Sequence, residues 1–490
     1  MLRLALARAA PYKGAVLRCG ARCVAGGADG AALLDTLHRC TSLYADDVAP
    51  VNEALRGPLE ADYAPTMLPF VLLLGNHSSG KSSFANLALG RDVQTAGVAP
   101  TDDGFTVIAP GSEDADRDGP ALVSDPSAGF SGLRAFGPGL VNHLSLKVRA
   151  GVDSSDFMIV DSPGMIDAPG QESVDDALSR GYDFEKAVKW FADRADVVLL
   201  FFDPDKPGTT GETLRILTNA LGGADHKLHI VLNKADKFER IHDFARAYGA
   251  LCWNLSKVIP RKDLPRIHTM CVQTDAEPRE TFLRAGLEDL HRTRDEVLRE
   301  ARRAPSRRID NAITRLGDAA ALLLMHAEIC GAARKRASGV NLRRYGATAL
   351  AALGAAGAAG ALAAAGALPA AAGAALLGGA GTAGLHYASG KTAAEQLAAL
   401  SDAPGLDGLY REAYAAEIAR GDEESAALWR RSKDHLLTKL GDLGGAANVP
   451  APPRNATRAL RRILDVDVPA LRRESAPPSF ASPRAPAPAE

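Results

Sequence analysis

The chain of 490 residues has few cysteines and almost no net charge, and both shortages exclude classes of protein. Its six cysteines are scattered with no C-x-x-C pair, which argues against a zinc site or a disulfide scaffold and indicates a reducing compartment. The formal net charge of −2 gives no sign of nucleic-acid binding, so we expect no nucleic acid among the partners. The length is sufficient for two or three domains.

Acidic side chains are absent from residues 1–28, where five basic residues are spread through Leu and Ala. A basic, amphipathic and acid-free start is typical of an organelle transit peptide, and it predicts import into a mitochondrion or plastid. The segment also lacks Ser and Thr, so a disordered start and a basic helix on a membrane surface stay open as alternatives. In those cases we expect the protein at the cytoplasmic face of an endomembrane.

Charged side chains are absent from Gly346–Gly390, which is almost wholly Ala, Gly and Leu with Pro369 near its middle. Each half would form a helix of about 30 Å, the thickness of the hydrocarbon core of a bilayer. Arg343 and Arg344 precede the stretch and Lys391 follows it, as expected for basic residues at anionic headgroups. The pattern predicts a membrane hairpin with an anionic lipid membrane as partner. A soluble helical hairpin and a disordered tract are the alternatives, because Ala and Gly partition weakly into hydrocarbon.

A phosphate-binding pattern, G-x-x-x-x-G-K-[ST], lies between the apolar run Phe70–Leu74 and a helical pattern at residues 84–89. Strand, glycine loop and helix are the context that this pattern requires. Backbone N–H groups of such a loop surround phosphate oxygens, and the helix N-terminus adds its dipole. We expect Lys81 to reach the β- and γ-phosphates and Ser82 to bind Mg²⁺. The predicted nucleotide-binding residues here are Gly75, Asn76, His77, Ser78, Ser79, Gly80, Lys81, Ser82 and Ser83.

A second pattern, Asp-Ser-Pro-Gly, follows the apolar strand pattern at residues 156–161. Asp161 is predicted to hold Mg²⁺ through water, and the Gly164 N–H is predicted to contact the γ-phosphate. Thr101, between the two patterns, is predicted by its position to bind Mg²⁺ and the hydrolytic water. The predicted catalytic residues are therefore Lys81, Ser82, Thr101 and Gly164, and the predicted metal ligands are Ser82, Thr101 and Asp161.

A third pattern, N-K-x-D, follows the apolar run at residues 229–232 and is the purine-reading element of GTPases. Asn233, Lys234 and Asp236 are the predicted base-binding residues. Asp236 would accept two hydrogen bonds from a guanine edge, and Lys234 would pack along the ring. The last purine-binding element should follow near Ile267–Val272, where the sequence carries no clear signature.

Longer strings that a generic GTPase does not need resemble the EHD branch of the dynamin-like proteins: Arg180–Phe184, Trp190–Arg194, Val231–Lys237 and Tyr248–Leu255. The resemblance covers roughly Ala31 to Arg336. It implies a dynamin-type G domain with a helical domain built from segments before and after it. It also implies self-assembly to dimers and higher oligomers, and slow, assembly-stimulated hydrolysis of nucleotide that remodels a membrane.

The chain departs from that family at defined positions. His77 replaces a Tyr of family members, and Asp102 replaces a second Thr in switch I. A carboxylate near a triphosphate is repulsive unless Mg²⁺ or a base offsets it, so a nucleotide-binding membrane scaffold with little hydrolysis stays open, as does a soluble P-loop GTPase. The N-K-x-D motif favours GTP as substrate, whereas the family prefers ATP, which we keep as the alternative. Nothing after Arg336 resembles an EH domain, so no EH-type peptide ligand is expected.

The predicted fold is an α/β P-loop G domain, with a mostly parallel sheet and helices on both faces, plus an α-helical stalk with an Ala/Gly-rich helical hairpin. Apolar residues at helical spacing on either side of the G domain predict the stalk. The predicted organisation is a transit peptide or disordered segment at 1–28, a helical segment at 29–66, the G domain at 67–278, the helical stalk at 279–345, the membrane hairpin at 346–390, returning stalk helices at 391–446 and a tail at 447–490 that is mostly disordered apart from a short helix at Thr457–Leu464. The predicted function is a dynamin-like nucleoside triphosphatase that assembles on an organelle membrane and remodels or tethers it.

Overall fold

The computed structural model describes residues 28–59, 66–95, 104–165, 180–204, 211–238, 240–259, 264–272, 287–453 and 455–475. These residues divide into two compact units. Unit 1 contains the described residues up to 41 and from 66 to 312, and unit 2 contains those from 42 to 59 and from 313 to 475. Residues 1–27, which make up most of the predicted transit peptide, lie outside the described part of the chain.

Unit 1 is built on one sheet. Its strands are β1 Phe70–Gly75, β2 Phe105–Pro110, β3 Ala115–Asp118, β4 Leu144–Arg149, β5 Met158–Asp161, β6 Val197–Phe202, β7 Leu228–Leu232 and β8 Ile267–Thr269. They lie in the order β3-β4-β2-β5-β1-β6-β7-β8. β2 and β5 pair antiparallel, as do β3 and β4, and the other neighbouring strands are parallel. The predicted fold class, with its mostly parallel sheet, is confirmed.

The central strands β1 and β6 are buried along their whole length. Burial on both faces explains why their sequences are continuous apolar runs without alternation. Leu72 of β1 pairs with Val160 of β5 on one side and with Val198 of β6 on the other. Parallel pairing brings the carboxyl ends of β5, β1, β6 and β7 to one edge of the sheet. Ligands of open α/β sheets bind at that edge.

Helices cover both faces of this sheet. The described part of the chain begins with α1 Ala28–Leu43, a π-helical turn at Tyr44–Val48 and α2 Ala49–Leu55. Unit 1 then contains α3 Lys81–Leu89, α4 Gly119–Ser124, α5 Gly137–Asn142, α6 Phe184–Arg194, α7 Gly211–Arg215, α8 Ile241–Ser256 and α9 Leu287–Arg302. One face packs around Phe130 and Phe191, and the other around Phe84 and Val297. Val297 belongs to α9, so α9 packs against the sheet. Residues 287–312 accordingly group with unit 1, whereas the sequence predicted them as part of the stalk.

Every regular element of unit 2 is a helix within the residues that the structure describes. They are α2 and then α10 Ala304–Ala364, which begins in unit 1, α11 Leu368–Ser401, α12 Ala403–Ala413, α13 Ala415–Ala419, α14 Glu423–Leu443, α15 Ala456–Arg462 and α16 Val468–Ser475. Their core contains Ile329, Leu406 and Leu436, with the rings of Tyr410 and Trp429 stacked 4.9 Å apart. The long helical region expected for the second half of the chain is confirmed.

Helices α10 and α11 form a hairpin whose turn is at residues 365–367. Pro369 lies in the first turn of α11, where a missing N–H breaks no helical hydrogen bond. Arg344 Nη2 on α10 lies 3.2 Å from His386 Nε2 on α11, so the two helices run antiparallel side by side. The segment 346–390 is therefore a pair of helices, and the alternative of a disordered tract does not match the structure.

The tail differs from its prediction. Residues 455–475 form α15 and α16, joined by a π-helical turn at Ile463–Asp467. Leu460, Ile463 and Leu471 are buried. The prediction of a mostly disordered tail allows a short helix at Thr457–Leu464 and is wrong for the rest of this helical segment. The Pro- and Arg-rich composition suggested disorder, although the segment contains apolar residues that pack in the fold. Composition does not reveal this, because tertiary burial supplies most of the stability of a short helix.

Candidate nucleotide-binding site

The predicted phosphate loop connects the end of β1 to the start of α3. Gly75 ends the strand and Lys81 begins the helix, so the nine predicted residues, up to Ser83, form the strand end, the loop and the first helical turn. Gly80 has a φ of +93°, and a side chain there would overlap the amide of Asn233, so the position requires glycine. The loop directs the first, unpaired N–H groups of α3 toward one point, which is the arrangement that binds phosphate.

Lys81 is buried at this loop. Its ammonium donates hydrogen bonds to the carbonyl oxygens of Gly75 and Asn76, at 2.8 and 3.1 Å. Burial lowers the pKa of Lys81 to about 8; the Asp161 carboxylate opposes this shift and the Arg180 guanidinium adds to it. Because burial penalises an ammonium, an anionic phosphate bound by the loop would stabilise the charged form.

The two described metal-ligand candidates lie together. Ser82 Oγ, from α3, donates to Asp161 Oδ2, at the end of β5, over 2.8 Å. Gln94 Nε2 donates to the same carboxylate oxygen at 3.1 Å. A hydroxyl and a carboxylate fit Mg²⁺, which takes few protein oxygens and completes its octahedron with water and phosphate oxygens. Thr101, the third candidate, lies outside the described residues.

The Asp-Ser-Pro-Gly segment lies directly against the phosphate loop. Met165 N donates to Gly75 O at 3.2 Å, and His77 N donates to Met165 O at 3.4 Å. A Cβ on Gly164 would come within 2.8 Å of His77 Cα, so only glycine allows this approach. The predicted γ-phosphate contact, Gly164, is thus held beside the loop that would carry the phosphates.

The N-K-x-D side chains have three different environments. Asn233 Nδ2 donates to Ser79 O at 2.9 Å, so this Asn connects the base-binding motif to the phosphate loop. Lys234 has a φ of +56°, and its ammonium lies 2.7 Å from Asp203 Oδ2. Burial raises the pKa of the Asp236 carboxyl. The sequence signal for Asp203 was its place at the end of the apolar run that forms β6.

The segment after β8 lies next to the predicted base-reading carboxylate. Ala235 N donates to Met270 O at 3.2 Å. Burial, together with the nearby charge of Asp236, raises the pKa of the Cys271 thiol to about 11. Met270 and Cys271 therefore lie beside the N-K-x-D motif, in the stretch where the sequence showed no signature for the last purine-binding element.

Other side chains of the site were not predicted from the sequence. Gln94, besides bonding Asp161, accepts a hydrogen bond from the Lys147 ammonium at 2.6 Å. Thr213 Oγ1, on α7, donates to Asn76 Oδ1 at 3.0 Å. None of these residues belongs to a local pattern, because each meets a partner far away along the chain.

Fold and site together define a P-loop domain of the GTPase type, since phosphate loop, metal-site Asp and N-K-x-D motif meet at one sheet edge. The sequence profile of the dynamin family matches residues 71–235. This stretch is similar to the dynamin family, and the resemblance indicated by the sequence is confirmed.

Curated relatives resemble the same region of the chain. EH domain-containing protein 1 of Homo sapiens and of Bos taurus is 33% identical over 233 residues, which are 46% of this chain and 42% of that protein. EH domain-containing protein 3 of Rattus norvegicus is 32% identical over 233 residues. The match thus spans less than half the length of these relatives.

Solved structures show only distant likeness. One, described as an oligomerised bacterial dynamin pair, has a TM-score of 0.32 and 14% identity and covers 66% of this chain and 52% of that chain. Toc33 from Arabidopsis thaliana with GDP and Mg²⁺ has a TM-score of 0.29 and 14% identity, covering 48% and 84%. Scores this low support no argument about this chain.

Proposed function

We propose that this chain is a Mg²⁺-dependent nucleoside triphosphatase that assembles on a membrane and remodels or tethers it. The observation that best supports hydrolysis is the joint position of Lys81, Ser82 and Asp161 at the N-terminus of α3. Bound Mg²⁺ would neutralise charge on the β- and γ-phosphate oxygens. Lys81 would hold the same oxygens, and Gly164 would offer its N–H to the γ-phosphate.

GTP is the proposed substrate, with ATP as the alternative. The Asp236 carboxylate would accept hydrogen bonds from the N1 and N2 groups of guanine, and ATP has no matching pair of donors. Partial burial supports this role, because a carboxylate shielded from water discriminates between bases more strongly. Calorimetric titration with each nucleotide decides the point: ATP binding at least tenfold tighter than GTP, about 1.4 kcal/mol, would contradict the GTP assignment.

Hydrolysis is tested by single-turnover assays with and without anionic liposomes. A triphosphatase converts one equivalent of bound nucleotide in both assays, and faster on lipid. Binding without turnover in either assay would favour the nucleotide-binding scaffold. Turnover with no effect of lipid would favour a soluble P-loop GTPase.

The membrane role rests on α10 and α11. Among the described residues these two helices are long and apolar enough to cross a membrane by length and composition. Apolar helices of soluble proteins are mostly buried, yet the most apolar 18-residue stretch is 0% buried in α10 and 6% buried in α11. Water disfavours so much exposed apolar surface, and a bilayer would cover it.

Two aromatic side chains support a defined depth of insertion. Tyr345 on α10 and Tyr387 on α11 are 56% and 80% exposed. They lie at one level, since the Tyr345 ring is 6.3 Å from that of His386. Tyr side chains concentrate at the boundary between hydrocarbon and headgroups. From Tyr345 to the end of α10 at Ala364 the helix rises about 29 Å, close to the roughly 30 Å of the hydrocarbon core.

An anionic membrane is the proposed partner because of a basic cavity below this level. Arg336, Arg343 and Gln396 line a cavity of about 430 Å³ between α10 and α11. Arg336 is paired with Glu412. Arg343 has neither a hydrogen bond nor an ion pair within the described part of the chain, so its charge is available to a phospholipid phosphate.

Self-assembly is proposed from exposed apolar side chains on unit 1. Trp253 is 67% exposed and Ile241 47% exposed, both on α8. Aromatic side chains are enriched at protein–protein interfaces relative to the rest of the surface, so an exposed Trp is a candidate contact for a second copy of the chain. Turnover per molecule should therefore rise with protein concentration, and Trp253→Ser should flatten the rise. A specific activity that is constant over a hundredfold range of concentration would contradict assembly-stimulated hydrolysis.

Import into a mitochondrion or plastid rests on residues 1–28 alone, mostly outside the described structure. Imaging of the full chain and of a chain without these residues tests it. Organelle localisation that depends on the segment supports import. Unchanged localisation at an endomembrane favours the alternative.

A further inference from the structure

Arg180 is the first residue of the segment Arg180–Phe184, which has no role in the nucleotide site described above. The side chain is 11% exposed, and its guanidinium lies over the Phe184 ring, 4.0 Å from the ring centre. A planar cation held on an aromatic face has one defined orientation. The side chain is therefore largely buried, and its orientation is defined, just before the start of α6.

The described contacts of Arg180 lead to the phosphate loop. Arg180 Nη2 donates to the carbonyl oxygen of Gly164 at 3.1 Å, and the same nitrogen lies 3.4 Å from Glu212 Oε2. Gly164 packs on the backbone of His77. The guanidinium is thus one residue away from the loop that would carry the β- and γ-phosphates.

Another guanidinium nitrogen has no such partner. Arg180 Nη1 is buried and lacks a hydrogen-bond partner among the residues that the structure describes. Buried polar groups are nearly always hydrogen-bonded, so a buried cationic N–H without a protein acceptor is expected to have an acceptor outside the chain, either water or a ligand. Nη2 is already occupied by Gly164, so Nη1 is the nitrogen left for that acceptor.

The local charges indicate the sign of that acceptor. Arg180 is close enough to Lys81 for its charge to contribute to lowering the pKa of that lysine. Of the nearby acids, Asp161 is bonded to Ser82 and Gln94, and Glu212 contacts Nη2. Two cations, Lys81 and Arg180, thus lie beside one phosphate loop, and an anion is the acceptor that they favour.

We infer that Arg180 is a catalytic residue that acts in cis, donating Nη1 to the γ-phosphoryl oxygens while Nη2 holds the Gly164 carbonyl. This inference rests on the proposed triphosphatase function. In the reaction a water oxygen bonds to the γ-phosphorus and the bond to the β-phosphate oxygen breaks, releasing nucleoside diphosphate and a phosphate that carries the protons of the water. Arg180 moves no proton, since guanidinium stays protonated; it compensates charge that develops on the transferring group.

The test separates ground-state binding from transition-state binding. Arg180→Gln and Arg180→Lys are compared with the wild type for binding of a non-hydrolysable triphosphate and for capture of the diphosphate–aluminium fluoride complex, which mimics the transferring phosphoryl group. If the charge of Arg180 acts mainly in the transition state, each substitution should change the affinity for the non-hydrolysable triphosphate by no more than about threefold. It should weaken capture of the aluminium fluoride complex at least about tenfold. The single-turnover rate of Arg180→Gln should fall by about 10³-fold, the lower end for an arginine of this kind.

Two controls isolate the effect. Arg91→Gln removes an exposed arginine of the same unit, paired with Asp114, and should change neither readout. Glu212→Gln removes the ion pair but leaves Arg180 in place, and should keep aluminium fluoride capture. Arg180→Lys keeps one charge but cannot serve Gly164 and phosphate together, so it covers the case in which Arg180→Gln fails to fold.

The outcomes distinguish this inference from the function on which it rests. The inference is overturned if Arg180→Lys captures the aluminium fluoride complex as well as the wild type does. It is also overturned if this variant loses triphosphate binding and aluminium fluoride capture equally, which would make Arg180 a structural residue. A wild type that neither captures the complex nor hydrolyses nucleotide overturns the proposed function itself. Selective loss of capture and rate supports both.

Discussion

Two leucines in the middle of the hairpin give the sharpest test of membrane insertion. Leu353 on α10 and Leu377 on α11 are 71% and 77% exposed, so replacing them removes little packing. Leu353 lies eight residues beyond Tyr345, about 12 Å along the helix, and thus near the centre of a core roughly 30 Å thick. Asp at the centre of a membrane helix costs about 2.5–3.5 kcal/mol, and the lost Leu adds about 0.3–0.6.

The double variant Leu353→Asp/Leu377→Asp should therefore disfavour insertion by about 6–8 kcal/mol. The remaining Ala and Gly residues contribute little favourable transfer energy, so this cost should release the protein from liposomes and from membranes washed with carbonate. The assay is the fraction that resists carbonate extraction. Nucleotide binding should be unchanged, because the nucleotide site is built entirely from unit 1.

A matched control comes from the same helix. Leu342 is 74% exposed, close to the 71% of Leu353, but it lies on the other side of Tyr345, outside the proposed hydrocarbon region. Leu342→Asp should leave the protein membrane-bound. If the double variant resists carbonate as the wild type does, or if the wild type is fully extracted, the hairpin does not insert.

The remaining predictions concern the nucleotide and lipid sites. Lys81→Ala should abolish triphosphate binding in calorimetry, because within the described loop no other cation is placed to contact the β- and γ-oxygens; wild-type affinity would contradict the phosphate-loop assignment. Asp236→Asn should weaken GTP at least tenfold, about 1.4 kcal/mol, and improve xanthosine triphosphate, whose 2-oxo group needs a donor; equal affinities would show that Asp236 does not read the base. Arg343→Gln should weaken binding to liposomes with anionic lipid more than Arg344→Gln does, because Arg343 lines the cavity and Arg344 does not. Each variant removes one charge, so equal losses would indicate a general attraction to the membrane surface.

The phosphate loop could be predicted from the sequence because its geometry is local. Gly75, Gly80 and Lys81 are neighbours in the chain, and the backbone turn that they form follows from their residue types. The same holds for Asp161 and for the N-K-x-D motif, each at the end of an apolar run. Parallel strands then bring their carboxyl ends to one edge, so the order of the motifs was enough to predict a common site.

Side chains that meet across long separations could not be predicted in this way. Gln94 and Asp161 are 67 residues apart, and Thr213 and Asn76 are 137 apart. Nothing in the composition around Gln94 or Thr213 marks them, since their roles come from the register of β5 and from the position of α7. Arg180 belonged to a string that resembled a family, yet only the packing showed its bond to Gly164.

The sequence by itself determined the apolar, uncharged character of residues 346–390, because composition decides whether a segment can leave water. Only the tertiary structure decided that its two halves pair through Arg344 and His386, that Tyr345 and Tyr387 share a level, and that the apolar surface stays uncovered. The tail shows the converse, since α15 and α16 are helices despite a composition typical of disorder. Both results have one physical reason: burial depends on which segments meet in space, and that information is spread over the whole chain.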